Sequence, residues 1–69
     1  MNILSNRLRE LRNEKNISQA TIAMLVGISR TAYANYEQGT REPSLETLIL
    51  FCDFFDVSAD YLIGRVDSY

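Results

Sequence analysis

Helix punctuation is what most constrains this chain. A short polar side chain able to accept from the free N–H groups of a first helical turn recurs along it: Asn2, Ser18, Ser29, Ser44 and Ser58. Four of the segments so opened end at a residue that tolerates the left-handed backbone, namely Asn16, Gly27, Gly39 and Gly64. Pro43 bars any helix from crossing the loop Thr40-Arg41-Glu42-Pro43. The punctuation predicts helices from Asn2 to about Lys15, about Gln19 to Leu25, Arg30 to Gln38, about Leu45 to Phe55, and Ala59 to Ile63, with a turn at Asp56-Val57. No strand-type alternation, repeat or low-complexity run is present. The expected class is all-α, a compact five-helix bundle.

Apolar spacing assigns the inner faces. Leu4, Leu8 and Leu11 form the stripe of the first helix, with Arg12 at its edge and Arg7 and Arg9 away from it. Ile17 returns an apolar side chain to the core. Ile22, Ala23 and Val26 face inward from the second helix, and Ala20 and Ala23 are small enough for a neighbouring helix to come close. Leu45, Leu48, Phe51, Cys52 and Phe55, with Ile49 at the edge, give the fourth helix a wide apolar arc. Leu50 and Phe54 make a second stripe on that helix, and exposed apolar clusters mark contact sites. A homodimer interface is expected there, the other reading being that the fifth helix or the tail covers it. Val57 and Leu62 close the core, and residues 65–69 are expected to fray.

Gly27-Ile28-Ser29 joins the second and third helices by a short turn containing Gly, the helix-turn-helix pattern. At about 100° per residue, the third helix has two unlike sides. Ala32, Tyr33, Tyr36 and Glu37 share one, suited to packing. Arg30, Thr31, Ala34, Asn35 and Gln38 share the other: a cation, a hydroxyl and two amides with small residues between them. Those groups match the edges of bases in a DNA major groove. Arg30 has the chemistry for a guanine edge or a phosphate, Thr31 for a thymine methyl, and Asn35 for adenine. Asn is a poor helix-interior residue, which favours a purpose for Asn35. The competing reading of this side is an ordinary solvated polar face.

The 69 residues make a single domain, with a core at about 4–64, near the lower size limit for folding alone. A separate effector-sensing domain is not expected, and control through concentration, a partner or proteolysis is. A hydrophobic content of 46% argues against disorder. Net charge is −2, but it is unevenly spread. Residues 1–41 hold six basic against three acidic side chains, and residues 42–69 hold one against six. One part of the molecule can therefore meet phosphates while the other faces away. The modest excess predicts a shallow salt dependence per copy.

With no His, the usual base at neutral pH is missing. Cys52 falls on the packing side of its helix, and no Gly-rich phosphate loop or metal-ligand cluster appears. Asp53, Asp56 and Asp60 straddle two helix ends and read as a solvated acidic face. Neither an enzyme, a cofactor, a metal nor a small-molecule substrate is expected. No stretch approaches the roughly 18 apolar residues of a membrane span, and no basic-then-apolar leader opens the chain. The single Cys52 fits a reducing compartment. A cytoplasmic protein without membrane contact is expected.

The chain resembles the Cro and phage-repressor type of helix-turn-helix domain, also called the XRE type. The resemblance rests on Leu8-Arg9-x-Leu11-Arg12, Ser18-Gln19, Ile22-Ala23, Gly27-Ile28-Ser29, Tyr33, Tyr36-Glu37-x-Gly39, Pro43-Ser44-Leu45, Val57-Ser58-x-Asp60 and Leu62. It implies a lambda-repressor-like bundle whose second and third helices dock on DNA, the third in the major groove. It also implies a homodimeric transcriptional regulator, repressor-like, on a near-palindromic double-stranded operator. Carried over, Gln19 holds a phosphate, and Arg30 and Thr31 stand at the groove-facing start of the third helix with Asn35 one turn further in. The full expectation is base contact by Arg30, Thr31, Ala34 and Asn35 and phosphate contact by Gln19, Ser18, Gln38 and Arg41. Tyr33 and Tyr36 fall on packing positions. Arg12 and Glu37 match a pair joining the first helix to the third. The alternative is a protein-interaction module of the same fold, such as an antitoxin, which the acidic half and the spare apolar stripe favour.

Overall fold

The computed structural model describes residues 2–69. Its order is α1 (Ile3–Lys15), α2 (Gln19–Val26), α3 (Arg30–Gln38), α4 (Leu45–Phe55) and α5 (Ala59–Leu62). Among the described residues there is no strand. Every start is a side-chain cap. The hydroxyls of Ser18, Ser29, Ser44 and Ser58 accept from the N–H groups of Thr21, Ala32, Thr47 and Tyr61 at 3.0, 3.0, 3.2 and 3.0 Å. At Asn2 the cap is reciprocal. Asn2 Oδ1 accepts from Ser5 N at 2.8 Å, and the Ser5 hydroxyl accepts from Asn2 N at 3.1 Å. Two orphan donors are thus satisfied by one pair of side chains, which is why Ser5 is a buried polar residue.

The stops are equally local. Asn16 and Asp56 take the left-handed conformation at φ 58° and 56°, and Gly27 takes it at φ 82°. Nothing in the fold crowds the Cα of Gly27, so its backbone angle is the reason for glycine there. Ile28 N then donates to Ala23 O at 2.9 Å, turning the chain sharply into α3.

α3 sits at the centre of the packing, against α1, α2 and the aromatic ring of Phe51 from α4. Tyr33 and Tyr36 both meet Phe51 edge-on, with centroids 5.8 and 6.0 Å away. Leu8, Ile22, Tyr33, Phe51 and Leu62 are fully enclosed and come from all five helices. This shared core fixes the orientation of α3 relative to the rest of the molecule.

Several expectations are corrected. α2 runs one residue further, to Val26, and α5 stops one residue earlier, at Leu62. Ala20 is exposed, so Ala23 alone provides the close approach from α2. Leu45 was expected in the core but is 78% exposed. It is the first residue of α4, whose packing on the core begins with Leu48. The outward side of α4 therefore carries Leu45, Ile49 and Leu50, the latter two 57% and 43% exposed. Phe54 is half-buried, edge-on to Phe55 at 5.1 Å, with the Lys15 ammonium 5.6 Å from its ring.

Residues 65–69 do not fray but strap back over α1 and α5. Tyr69 O accepts from Ser58 N at 2.9 Å, and the Tyr69 hydroxyl donates to the Glu14 carboxylate at 3.1 Å. The Tyr69 ring stands edge-on to Tyr61 at 4.8 Å. Arg7 lies over the Tyr61 ring, donates to Tyr61 O and to Val66 O, and pairs with Asp67 at 3.2 Å. Its charge is thus committed to the strap and lies outside the candidate site.

Candidate nucleic-acid interface

The inner side of α3 is held by one carboxylate. Glu37 is 4% exposed and carries two oxygens that four donors reach for. Arg12 Nε donates to Oε2 at 2.6 Å and Arg12 Nη2 to Oε1 at 3.2 Å, the two-pronged geometry that guanidinium and carboxylate share. The Tyr33 hydroxyl donates to Oε2 at 2.5 Å, and Gln19 Nε2 donates to Oε1 at 3.2 Å. Arg12 Nη1 donates in turn to Ile17 O at 2.9 Å, beyond the end of α1. One residue of α3 thereby ties together α1, α2 and the turn between them.

Burial by itself pushes the Glu37 carboxyl up, but the hydrogen bonds from Arg12, Tyr33 and Gln19 outweigh it and leave it below its ordinary value. The Arg12 guanidinium is raised by its bond to Glu37, against the opposing effect of burial. Burial first, then the bond to Glu37, pushes the Tyr33 phenol well above its ordinary value. Each shift preserves the same arrangement: a charged pair and a neutral phenol.

The outer side of the same helix is open. Arg30, Thr31 and Gln38 are exposed, and Ala34 and Asn35 are half-buried. The helix ends at Gly39, φ 79°, whose N–H donates to Tyr36 O at 3.3 Å while Thr40 N donates to Asn35 O at 3.1 Å. The result is a short two-sided rod, anchored along its inner side and uncovered along its outer one.

The helix-turn-helix family model matches residues 8–62, nearly the whole chain. The HTH-type transcriptional regulator AnsR of Bacillus subtilis is 50% identical over 60 residues, which cover 87% of this chain and 52% of that protein. The P22 c2 repressor, solved in complex with a synthetic operator, superimposes with a TM-score of 0.87 at 29% identity, covering 96% of this chain and 100% of the other. Antitoxin PezA of Streptococcus pneumoniae is 32% identical over 63 residues, 91% of this chain and 40% of that protein. The chain belongs to the Cro and phage-repressor (XRE-type) helix-turn-helix family. It spans about half the length of the first two curated relatives it matches.

Within the helix-turn-helix frame, the remaining candidates divide by what already holds them. The Ser18 hydroxyl donates to Thr21 Oγ1 at 2.9 Å and accepts from Thr21 N, so its hydrogen is committed to the cap of α2. Gln19 gives one amide hydrogen to Glu37 and keeps a second. Arg41 is exposed just beyond α3. Two participants escaped sequence reasoning. Tyr33 was read as packing alone, yet its hydroxyl completes the Glu37 site. Thr40 was read as loop, yet its hydroxyl lies 3.3 Å from both the main-chain and side-chain oxygens of Asn35. The signal for Thr40 was its place just past a Gly helix stop, where the chain folds back onto the last turn.

Proposed function

We propose that this domain is a sequence-specific double-stranded DNA-binding transcriptional regulator that lays the outer side of α3 in the major groove. The observation that carries this reading is the contrast across α3: the inner side is locked by the Glu37 cluster, while Arg30, Thr31 and Gln38 are exposed. A groove reader needs both properties, rigid placement and uncommitted donors. In this reading Arg30, Thr31, Ala34 and Asn35 meet bases. Gln19, with its remaining amide hydrogen, and Gln38 and Arg41 lie along the phosphates, and Ser18 borders them with its hydroxyl hydrogen held in the cap. The similarity to AnsR, a transcriptional regulator, and to the P22 c2 repressor in complex with a synthetic operator supports the same reading.

A homodimer on a near-palindromic operator is part of this proposal, and the charge supports it. A single copy offers few cations to phosphate, so two linked half-sites supply what one lacks. The interface assigned to it is the outward side of α4, where Leu50 is joined by Leu45 and Ile49; Phe54, half-buried against the core, contributes less. An Ile49→Asp variant is expected to sediment as a monomer and to lose cooperative binding to paired half-sites.

The deciding experiment is selection of binding sites from random duplex DNA followed by gel shift. Recovery of a palindromic motif supports the regulator. Failure to recover any motif at low salt supports the second reading, a protein-interaction module in the manner of an antitoxin, which the similarity to PezA and the exposed apolar side of α4 favour.

A further inference from the structure

We infer that Thr40 is a specificity-determining residue, acting on DNA only through Asn35. This rests on the groove-reading role proposed above for Asn35. The turn after α3 returns Thr40 to the helix end through the bond from Thr40 N to Asn35 O, 3.1 Å. Thr40 Oγ1 then stands 3.3 Å from Asn35 O and 3.3 Å from Asn35 Oδ1. A threonine hydroxyl has one hydrogen, shared here between two acceptors on one residue. The first acceptor fixes the hydroxyl against the backbone, and the second catches the carboxamide.

The consequence concerns which way the amide is presented. A free Asn side chain rotates about its last bond, and its oxygen and nitrogen exchange places. With Oδ1 turned to Thr40, the Nδ2 hydrogens are left to donate, and Oδ1 keeps one lone pair to accept. Adenine demands both functions in a fixed relation, a donor to its N7 and an acceptor for its N6 amino group. A carboxamide tethered at its oxygen meets that demand with less ordering to do on binding. Thr40 is thus a positioning residue, and its hydroxyl rather than its bulk carries the effect.

The test takes the site selected by the wild-type protein and replaces its base pairs one at a time. Binding is measured for the wild type, Thr40→Val, Thr40→Ser, Asn35→Ala and the Asn35→Ala/Thr40→Val double variant. Asn35→Ala is expected to erase discrimination at one position of each half-site. Thr40→Val is expected to weaken discrimination at that position by about threefold to tenfold, the span of one hydrogen bond, and Thr40→Ser to retain it. In the Asn35→Ala background Thr40→Val is expected to add nothing. Relaxation of the Asn35 side-chain amide by NMR, without DNA, supplies a second readout: Thr40→Val loosens it and Thr40→Ser does not. Should Thr40→Val unfold the turn, Thr40→Ala replaces it in every arm.

An even loss of affinity across all sequences makes Thr40 a phosphate contact and overturns the inference. So do additivity with Asn35→Ala, an unchanged amide relaxation, or an Asn35→Ala variant that discriminates as before. A wild type that selects no motif refutes the DNA-reading role itself. A motif whose Asn35-dependent position survives Thr40→Val refutes only the role of Thr40.

Discussion

The two sides of α3 obey different rules although they share one cap, one stop and nine residues. On the inner side, Glu37 is enclosed and its oxygens are saturated by Arg12, Tyr33 and Gln19. On the outer side, Arg30 and Gln38 are exposed. A helix needs its inner residues in order to fold; it needs nothing from its outer ones. The identities of the outer residues are therefore free to answer to a partner, and the difference separates stability from recognition within three turns of backbone.

The largest expected effect lies on the inner side. Glu37→Ala leaves a largely buried Arg12 guanidinium without its partner, a loss of about 3–5 kcal/mol. For a domain of this size that lowers the melting temperature by roughly 10–20 °C or more, and thermal unfolding followed by circular dichroism reads it directly. A melting temperature unchanged within error removes the Glu37 cluster from the account of stability. Replacing Arg12 and Glu37 together by Met and Leu sharpens the point, because a well-packed apolar pair often restores what a broken ion pair loses.

Next comes the outer side. Arg30→Ala is expected to leave the melting temperature nearly unchanged, as exposed substitutions do, within about 0.5 kcal/mol. Affinity for the selected duplex should fall by about 1–3 kcal/mol if Arg30 meets a base, and with it discrimination at one base pair. A uniform loss over all sequences, with a shallower salt slope, makes it a phosphate contact instead. A stability loss like that of Glu37→Ala breaks the comparison outright.

A smaller effect follows from the acid side. Glu37 titrates below its ordinary value in the fold, so the folded state holds its proton less tightly than the unfolded chain does. Its stabilisation is complete above the unfolded carboxyl range, near pH 4.5. It is lost as pH falls through the lower, folded value. Chemical denaturation between pH 7 and pH 3 should show this loss, and Glu37→Gln should flatten that part of the curve. An equally steep curve in Glu37→Gln assigns the acid sensitivity to other carboxylates.

How much of this was legible in the sequence depends on the range of the interactions. Caps and stops are local, so Asn2, Ser18, Ser29, Ser44 and Ser58, with Asn16, Gly27 and Gly39, placed the helices to within a residue or so. Leu45 misled because periodicity gives the angle around a helix but not whether a given turn still overlies the core. Residues 65–69 misled because their partners Arg7 and Glu14 are more than fifty residues away, a relation no local pattern encodes. The polarity of the outer side of α3 was legible from spacing alone. The contact of Thr40 with Asn35 was signalled only by its place just past the Gly39 stop, because a loop threonine and an ordered one are the same letter.

The smallest effect makes the sharpest comparison, because its two readouts move in opposite directions. Asn35 sits inside α3, where Asn is less favourable than Ala by roughly half a kcal/mol. Thr40 softens that penalty through its bond to Asn35 Oδ1, but its hydroxyl keeps the main-chain oxygen of Asn35 as an acceptor when the side chain is removed. Asn35→Ala should therefore raise the stability slightly, by a few tenths of a kcal/mol, while binding to the selected site weakens. Melting curves and duplex titrations on the same preparation read both signs. If Asn35→Ala destabilises the domain and leaves binding intact, Asn35 belongs with Glu37 among the residues that build α3. A stabler protein that binds worse places Asn35 on the side of the helix that folding does not need.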